Sequence, residues 1–259
     1  NGSPITLTDL TLVGYNKITL DLFNFTIKGE GDKLVPATTM NVGSFTDVLL
    51  SSTDHLNVTT KETWKSAQIY LGENTEMTIS GVSDLANGLT PDFFQVTGAN
   101  TAKFLGKTGV YTVYYLPRMN YVFIEQPTAV YPDALWLCGV GIGPARTPYT
   151  KTSSWNWNSP LEYKFCRKVS DGVFDAVIYV NHEEDGTAAE PWRVKFSTKF
   201  FHQRGWGGEE TAKDYTLPTL LIAQSDGNWG GADALMSAPG VYRITINLNT
   251  KTTNFVKIK

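Results

Sequence analysis

The chain has 259 residues, of which 41% are hydrophobic and 18% charged, enough apolar material for a real core and an argument against long disorder. A formal net charge of −3 provides no cationic field for phosphate backbones, so no nucleic-acid partner is expected. No run approaches the roughly 18 apolar residues of a membrane-spanning helix, and two cysteines are too few for a disulfide framework or a cysteine-based zinc site.

The first residues, Asn1-Gly2-Ser3-Pro4, carry no charged-then-apolar leader and read as a mature or trimmed start. Beyond them, helical periodicity is nearly absent. Period-two alternation bounded by Gly, Asn, Asp and Pro predicts half-buried strands throughout. Gly14 leads quickly into Ile18-x-Leu20-x-Leu22, Trp64 opens a later strand, and Gly109-Val110-Tyr111 starts another that is followed by Val122 to Ile124. Further on, Leu135-x-Leu137-x-Gly139 and the row Leu161, Tyr163, Phe165 read as strands. The same holds for Phe174, Ala176, Ile178 and Val180, and for Trp192, Val194 and Phe196. Tyr242, Ile244, Ile246 and Leu248 alternate before a last strand from Phe255 to Ile258. A one-residue slip would expose each of these apolar sets, so register is strongly specified.

The pattern recurs. Leu10-x-Leu12-x-Gly14, Trp64 and Gly109-Val110-Tyr111 return in the same order as Leu135-x-Leu137-x-Gly139, Trp192 and Gly240-Val241-Tyr242. The reading is all-β, two tandem antiparallel β-sandwich domains of immunoglobulin-like type, spanning 1–128 and 129–259 with the boundary near Gln126-Pro127-Thr128. The halves differ in their tryptophans: only Trp64 lies in the first, and Trp136, Trp155, Trp157, Trp192, Trp206 and Trp229 lie in the second. Core needs are similar in both, so the bias points beyond packing.

Three segments of the second half read as long loops between strands: 143–160 with Tyr149, Trp155 and Trp157, 201–210 with Gln203, Arg204 and Trp206, and 224–233 with Asn228 and Trp229. Indole beside amide, guanidinium and carboxylate groups suits a sugar, whose apolar C–H face stacks on the ring while its hydroxyl rim needs planar donors and acceptors. The candidate ligand-binding residues are therefore Trp155, Trp157, Trp206, Trp229, Arg204, Gln203, Tyr149 and Asn228. The competing role for the four loop tryptophans is to seal loops onto the sandwich edge. Trp136 and Trp192, inside strand patterns, are read as packing residues. Asp226, Asn228 and Asp233 are calcium-type ligands at the wrong spacing for an EF-hand loop, which favours a turn.

Catalytic motifs are missing. His55, His182 and His202 do not cluster, and no nucleophile elbow, phosphate loop or dinucleotide fingerprint occurs. Glu183-Glu184-Asp185 and Glu209-Glu210 read as solvated loop tips, not as a glycosidase carboxylate pair. The chain is read as a non-enzyme without cofactor or metal. Cys138 and Cys166 are placed on the same kind of sheet face, which leaves open either a cross-strand disulfide or two separate thiols.

The second half resembles the SusE/SusF family of surface glycan-binding lipoproteins of polysaccharide-utilisation systems. The resemblance rests on the Leu135-x-Leu137-x-Gly139 strand, the Trp155/Trp157 loop, Val194-Lys195-Phe196 and Asn228-Trp229-Gly230. It rests also on the closing run Gly240 to Leu248 with Thr250 and Thr252. The first half shares only the framework, and reads as a spacer that does not bind. The resemblance implies non-catalytic capture of a poly- or oligosaccharide on an aromatic platform. It implies a lipid-anchored, surface-exposed place at the outer membrane and, as partners, other glycan-uptake proteins there. Trp155 or Trp157 would match the first platform aromatic, Trp229 the later one, and Arg204 the basic hydrogen-bonding residue. No lipidation cysteine precedes Asn1, so the anchor is an inference from the resemblance alone. The alternative is a structural or adhesin-like sandwich that grips a protein partner.

Overall fold

The computed structural model describes residues 14–53, 59–142, 155–157, 163–180, 196–238 and 240–259. Strands are numbered in chain order. β1 (Tyr15–Asp21) and β2 (Thr26–Lys33) form a hairpin that pairs with no other strand among the described residues. β3 (Thr39–Asn41), β6 (Glu76–Ser80), β7 (Phe94–Val96) and β8 (Thr101–Phe104) make one sheet in the order β3-β6-β8-β7. β4 (Thr46–Thr53), β5 (Thr59–Leu71), β9 (Gly109–Leu116) and β10 (Tyr121–Glu125) make a second in the order β10-β9-β5-β4. The two pack face to face: Met77, Ile79 and Phe104 of one share a core with Leu71, Val113 and Ile124 of the other. The architecture is the expected all-β sandwich, antiparallel apart from the β3·β6 pair, which is parallel.

In the second half, β11 (Leu135–Val140), β12 (Tyr163–Ser170), β13 (Val173–Val180), β14 (Ser197–Gln203), β15 (Gly207–Glu209), β16 (Leu221–Ala223), β17 (Trp229–Gly231), β18 (Gly240–Asn247) and β19 (Thr252–Lys257) form one sheet. It folds upon itself at β12, whose first residues pair with β11 and whose last pair with β13. Leu135, Phe200 and Trp229 from one limb thereby meet Phe174, Ile244 and Phe255 from the other. Gly139 permits the close approach of β11 and β14, since a Cβ there would lie 2.1 Å from the Ser197 carbonyl oxygen.

The Gly-Val-Tyr motifs mark corresponding strands. β9 lies between β5 and the last strand of its half, as β18 lies between β13 and β19. Each motif's tyrosine is buried and donates its hydroxyl to the carbonyl four residues upstream: Tyr111 to Lys107 at 2.7 Å, Tyr242 to Ala238 at 2.6 Å. Ile69 faces Tyr111 as Ile178 faces Tyr242, so the strand of Trp64 corresponds to β13. Trp192, with Leu10, Leu12 and Leu161, lies outside the described residues.

Among the described residues no ladder joins strands across 126–134, yet a core does. Phe93 stacks on Phe165 at 5.5 Å and 8°, while Trp136, Tyr163 and Phe201 belong to the same cluster as the first sandwich. Polar contacts fasten this seam. Asp92, 1% exposed, accepts from the Val177 amide at 3.2 Å, and Arg243 donates to the Pro91 carbonyl at 2.9 Å. The outer face of β11 and β12 is therefore core, and alternation sorts the cysteines accordingly. Cys138 packs with Trp136 and Tyr163 toward the first half, and Cys166 packs with Leu135 and Leu137 inside the second. The shared-face placement is thus corrected: the thiols point to opposite sides of one sheet, and no disulfide joins them.

Candidate functional site

The segment 201–210, expected as a long loop, is a hairpin. β14 and β15 are joined by Arg204, Gly205 and Trp206, and Gln203 pairs with Gly207. Glycine-rich composition disguises the strands, and the same glycines make the turn. Gly205 has φ +90° and Trp206 has φ +77°. The left-handed region is free to glycine but costs a bulky L-residue about 1–2 kcal/mol. That strain holds an indole outward, for Trp206 is 50% exposed. Gly207 has no Cβ because the Gln203 side chain lies across it, with its Nε2 1.7 Å from where one would stand.

Trp206 is surrounded by aromatic rings on its inner side. Trp155 lies nearly parallel to it at 6.2 Å and 28°, and the rings of Trp157 and Phe201 meet it edge-on at 5.4 and 5.5 Å. Trp157 in turn sits on Tyr163 at 5.3 Å and edge-on to Trp136 at 6.4 Å. The cluster is graded from core to surface. Trp136 is fully buried, Trp155 and Trp157 are half-buried, and Trp206 is exposed. The short segment bearing Trp155 and Trp157 is pinned by its middle residue, where the Cys138 thiol donates to the Asn156 carbonyl at 3.5 Å.

Arg204 lies against this cluster. Its Nη2 donates to the Trp157 carbonyl at 2.9 Å and its guanidinium stands 4.8 Å from the Tyr163 ring centre. The remaining N–H donors make no hydrogen bond or ion pair with the described residues. Below it, Tyr163 donates to Glu125 Oε2 at 2.6 Å and Tyr114 to Oε1 at 2.9 Å. Burial and the Glu125 charge both push the Tyr163 hydroxyl far above its ordinary pKa, so it stays a donor at any physiological pH. The positive Arg204 works against that shift.

Of the expected ligand-binding residues, the structure brings Trp155, Trp157, Trp206, Arg204 and Gln203 to one place. Two are corrected. Trp229 is fully buried on β17, donates its indole N–H to Thr253 at 3.1 Å and packs edge-on against Phe200 at 5.2 Å. Asn228, 6% exposed, spends its amide on Ser197 and Asp226. The Trp229 ring thus has no face left for a ligand, and Asn228 has no amide hydrogen left to donate. Tyr149, His55, His182 and Glu183-Glu184-Asp185 lie outside the described residues. Asp226 makes a turn by accepting from the Asn228 amide at 3.2 Å.

Glu210 is likewise not a solvated tip. It accepts from Tyr215 at 2.6 Å and Lys251 at 3.0 Å and contacts His202 at 2.8 Å. Burial alone would raise its pKa, but these three partners outweigh it and hold the carboxyl below its ordinary range.

Sequence reasoning missed Glu125, Tyr114 and Tyr163 as supports of the site. Glu125 closes an otherwise apolar strand and carries no local sign that one of its two partners, Tyr163, lies in the other half. No family model and no curated protein matches this sequence.

Proposed function

We propose that the protein binds a glycan without cleaving it, using the exposed side of the Trp155–Trp206 pair as a stacking surface and the open donors of Arg204 and the amide of Gln203 for hydroxyls. The observation that carries this reading is Trp206. A large apolar ring is held half-exposed in a backbone conformation that disfavours it, and such strain is kept where it serves function. Half-exposed tryptophan beside a guanidinium also fits the physics of sugar recognition, an apolar ring face edged by planar donors. Glu125, the carboxylate beneath Tyr163, is 2% exposed and engaged by two tyrosine hydroxyls, which favours binding over hydrolysis. Following the resemblance, the protein acts at the outer-membrane surface through a lipid anchor, alongside other glycan-uptake proteins. Among the described residues no helix is long and apolar enough to cross a membrane.

Affinity electrophoresis against a panel of soluble polysaccharides tests the reading. Retardation by at least one glycan, lost in Trp206→Ala and without release of reducing ends, is expected. Release of reducing ends would make the protein a hydrolase instead.

One observation favours a second reading, capture of a protein partner. The β1–β2 hairpin carries Leu22, Phe23 and Phe25 at its tip, 70%, 90% and 88% exposed, and an isolated two-stranded hairpin is marginal in water on its own.

A further inference from the structure

A cleft of about 540 Å³ opens where β9 meets the 126–133 connection between the halves, within the range of roughly 300–1,000 Å³ typical of small-ligand sites. Its walls are held in place. The Trp136 indole donates to the Ala129 carbonyl at 3.1 Å, Val130 bridges to Gln203, and the Tyr131 amide donates to the His202 carbonyl at 2.8 Å. The site is thus formed in advance of any ligand.

Its chemistry is mixed in a particular way. Val110 and Val130 leave apolar surface, 45% and 49% exposed, in a concavity. Between them stand two carboxamides, Gln68 and Gln126, and two hydroxyls, Thr112 and Thr128. Gln126 gives one N–H to the Val110 carbonyl at 2.9 Å, which orients the amide and leaves its other N–H and its oxygen open. Gln68 is exposed, and its amide has no partner among the described residues. Each of these groups both donates and accepts, as a ligand hydroxyl does. Among the described residues that line it Asp133 is the one carboxylate, and Lys168, which pairs more closely with Asp171 at 2.9 Å, stands 3.7 Å from it. A cation would find one solvent-exposed carboxylate with a lysine beside it, and an anion no cationic side chain among the described lining residues.

We infer that this cleft binds a neutral, hydroxyl-rich ligand of saccharide size, at a site separate from the Trp155–Trp206 surface. The inference stands on different residues and does not depend on the stacking surface being functional.

The test is amide NMR on the nitrogen-labelled full chain, titrated with maltohexaose, cellohexaose, xylohexaose and mannohexaose, and with hexagalacturonate as the anionic control. At least one neutral hexaose should shift the amides of Val110, Thr112, Gln126 and Thr128 saturably, and do so equally in Trp206→Ala. Removing both carboxamides by Gln68→Ala with Gln126→Ala should weaken that response at least about tenfold. If that double variant misfolds, Thr128→Arg, on the exposed connection, should block the cleft and give the same loss. Absence of any neutral-hexaose response there at about 10 mM, the millimolar limit of weak binding, would overturn the inference. So would an equal response to hexagalacturonate, or a response that disappears in Trp206→Ala. Shifts confined to the Trp206 hairpin would sustain the stacking surface and sink the cleft, and shifts confined to the cleft would do the reverse.

Discussion

Tyr163 donates a 2.6 Å hydrogen bond to Glu125, and the two residues come from opposite halves of the chain. Glu125 ends β10 of the first sandwich, while Tyr163 starts β12 of the second and carries Arg204 over its ring. The floor of the candidate site is therefore built by both halves, although every tryptophan on it comes from one. Tyr163→Phe should leave the buried carboxylate one donor short and destabilise the whole chain by about 1.5–3 kcal/mol, the worth of a hydrogen bond to a charged group. Urea denaturation should show this as a lower midpoint in a single transition. Loss of only part of the signal would mean that the halves unfold independently.

Trp206 and Trp229 should behave in opposite ways. Trp229→Ala empties a fully buried site and orphans the Thr253 contact, costing about 3–5 kcal/mol. Trp206→Gly relieves the left-handed strain while giving up half-buried packing. The two effects are each about 1–2 kcal/mol and nearly cancel. Melting curves should therefore fall steeply for Trp229→Ala and hardly move for Trp206→Gly.

How much of this was legible depends on how local the cause is. Alternation around Trp136, Phe174 and Ile244 announces buried strands because neighbours two residues apart share a face. The Gly-Val-Tyr motifs likewise announce matching strands. Trp229 was misread because Asn228-Trp229-Gly230-Gly231 has the composition of a turn, whereas what buries the indole is Thr253, Phe200 and Tyr215, all distant in the chain. Gly205 and Gly207 look like loop residues but permit a tight hairpin. The contribution of Glu125 could not be read at all, since Tyr114 reaches it from a neighbouring strand and Tyr163 from across the seam.

Lys164 gives the fold a pH signature. Burial lowers its pKa from 10.5 to about 8, while the nearby Asp92 favours the ammonium form. Between about 8 and 10.5 the unfolded chain holds this proton and the folded chain does not, so this group's contribution to stability rises with pH there. Below about 8 the cost of the buried charge is present in full. Burial acts in the other sense on Cys166 and on Tyr111, Tyr114, Tyr121 and Tyr163, whose pKa values are raised. The unfolded chain loses those protons first, so their contribution falls with pH once their ordinary values are passed. Lys164→Met should abolish the rise that starts near pH 8 and leave the alkaline fall, as read from urea midpoints across the pH series.

The two motif tyrosines supply a matched pair. Tyr111→Phe and Tyr242→Phe each remove a hydroxyl bonded to the carbonyl four residues upstream, and each should cost about 0.5–1.5 kcal/mol. Similar losses in the two variants would support the correspondence of β9 and β18. An effect in only one would argue that the shared motif is not a shared structural device.

The central claim is that the Trp155–Trp206 surface holds a glycan, and isothermal titration of the full chain tests it most directly. The titrant is the polysaccharide that retards the protein most strongly. Wild type and Tyr242→Phe should bind alike, because Tyr242 belongs to the separate core of the second half, whereas Trp155→Ala with Trp206→Ala should lose at least about tenfold in affinity, the equivalent of 1.4 kcal/mol. Undiminished binding by the double variant, with its melting temperature intact, would contradict the account.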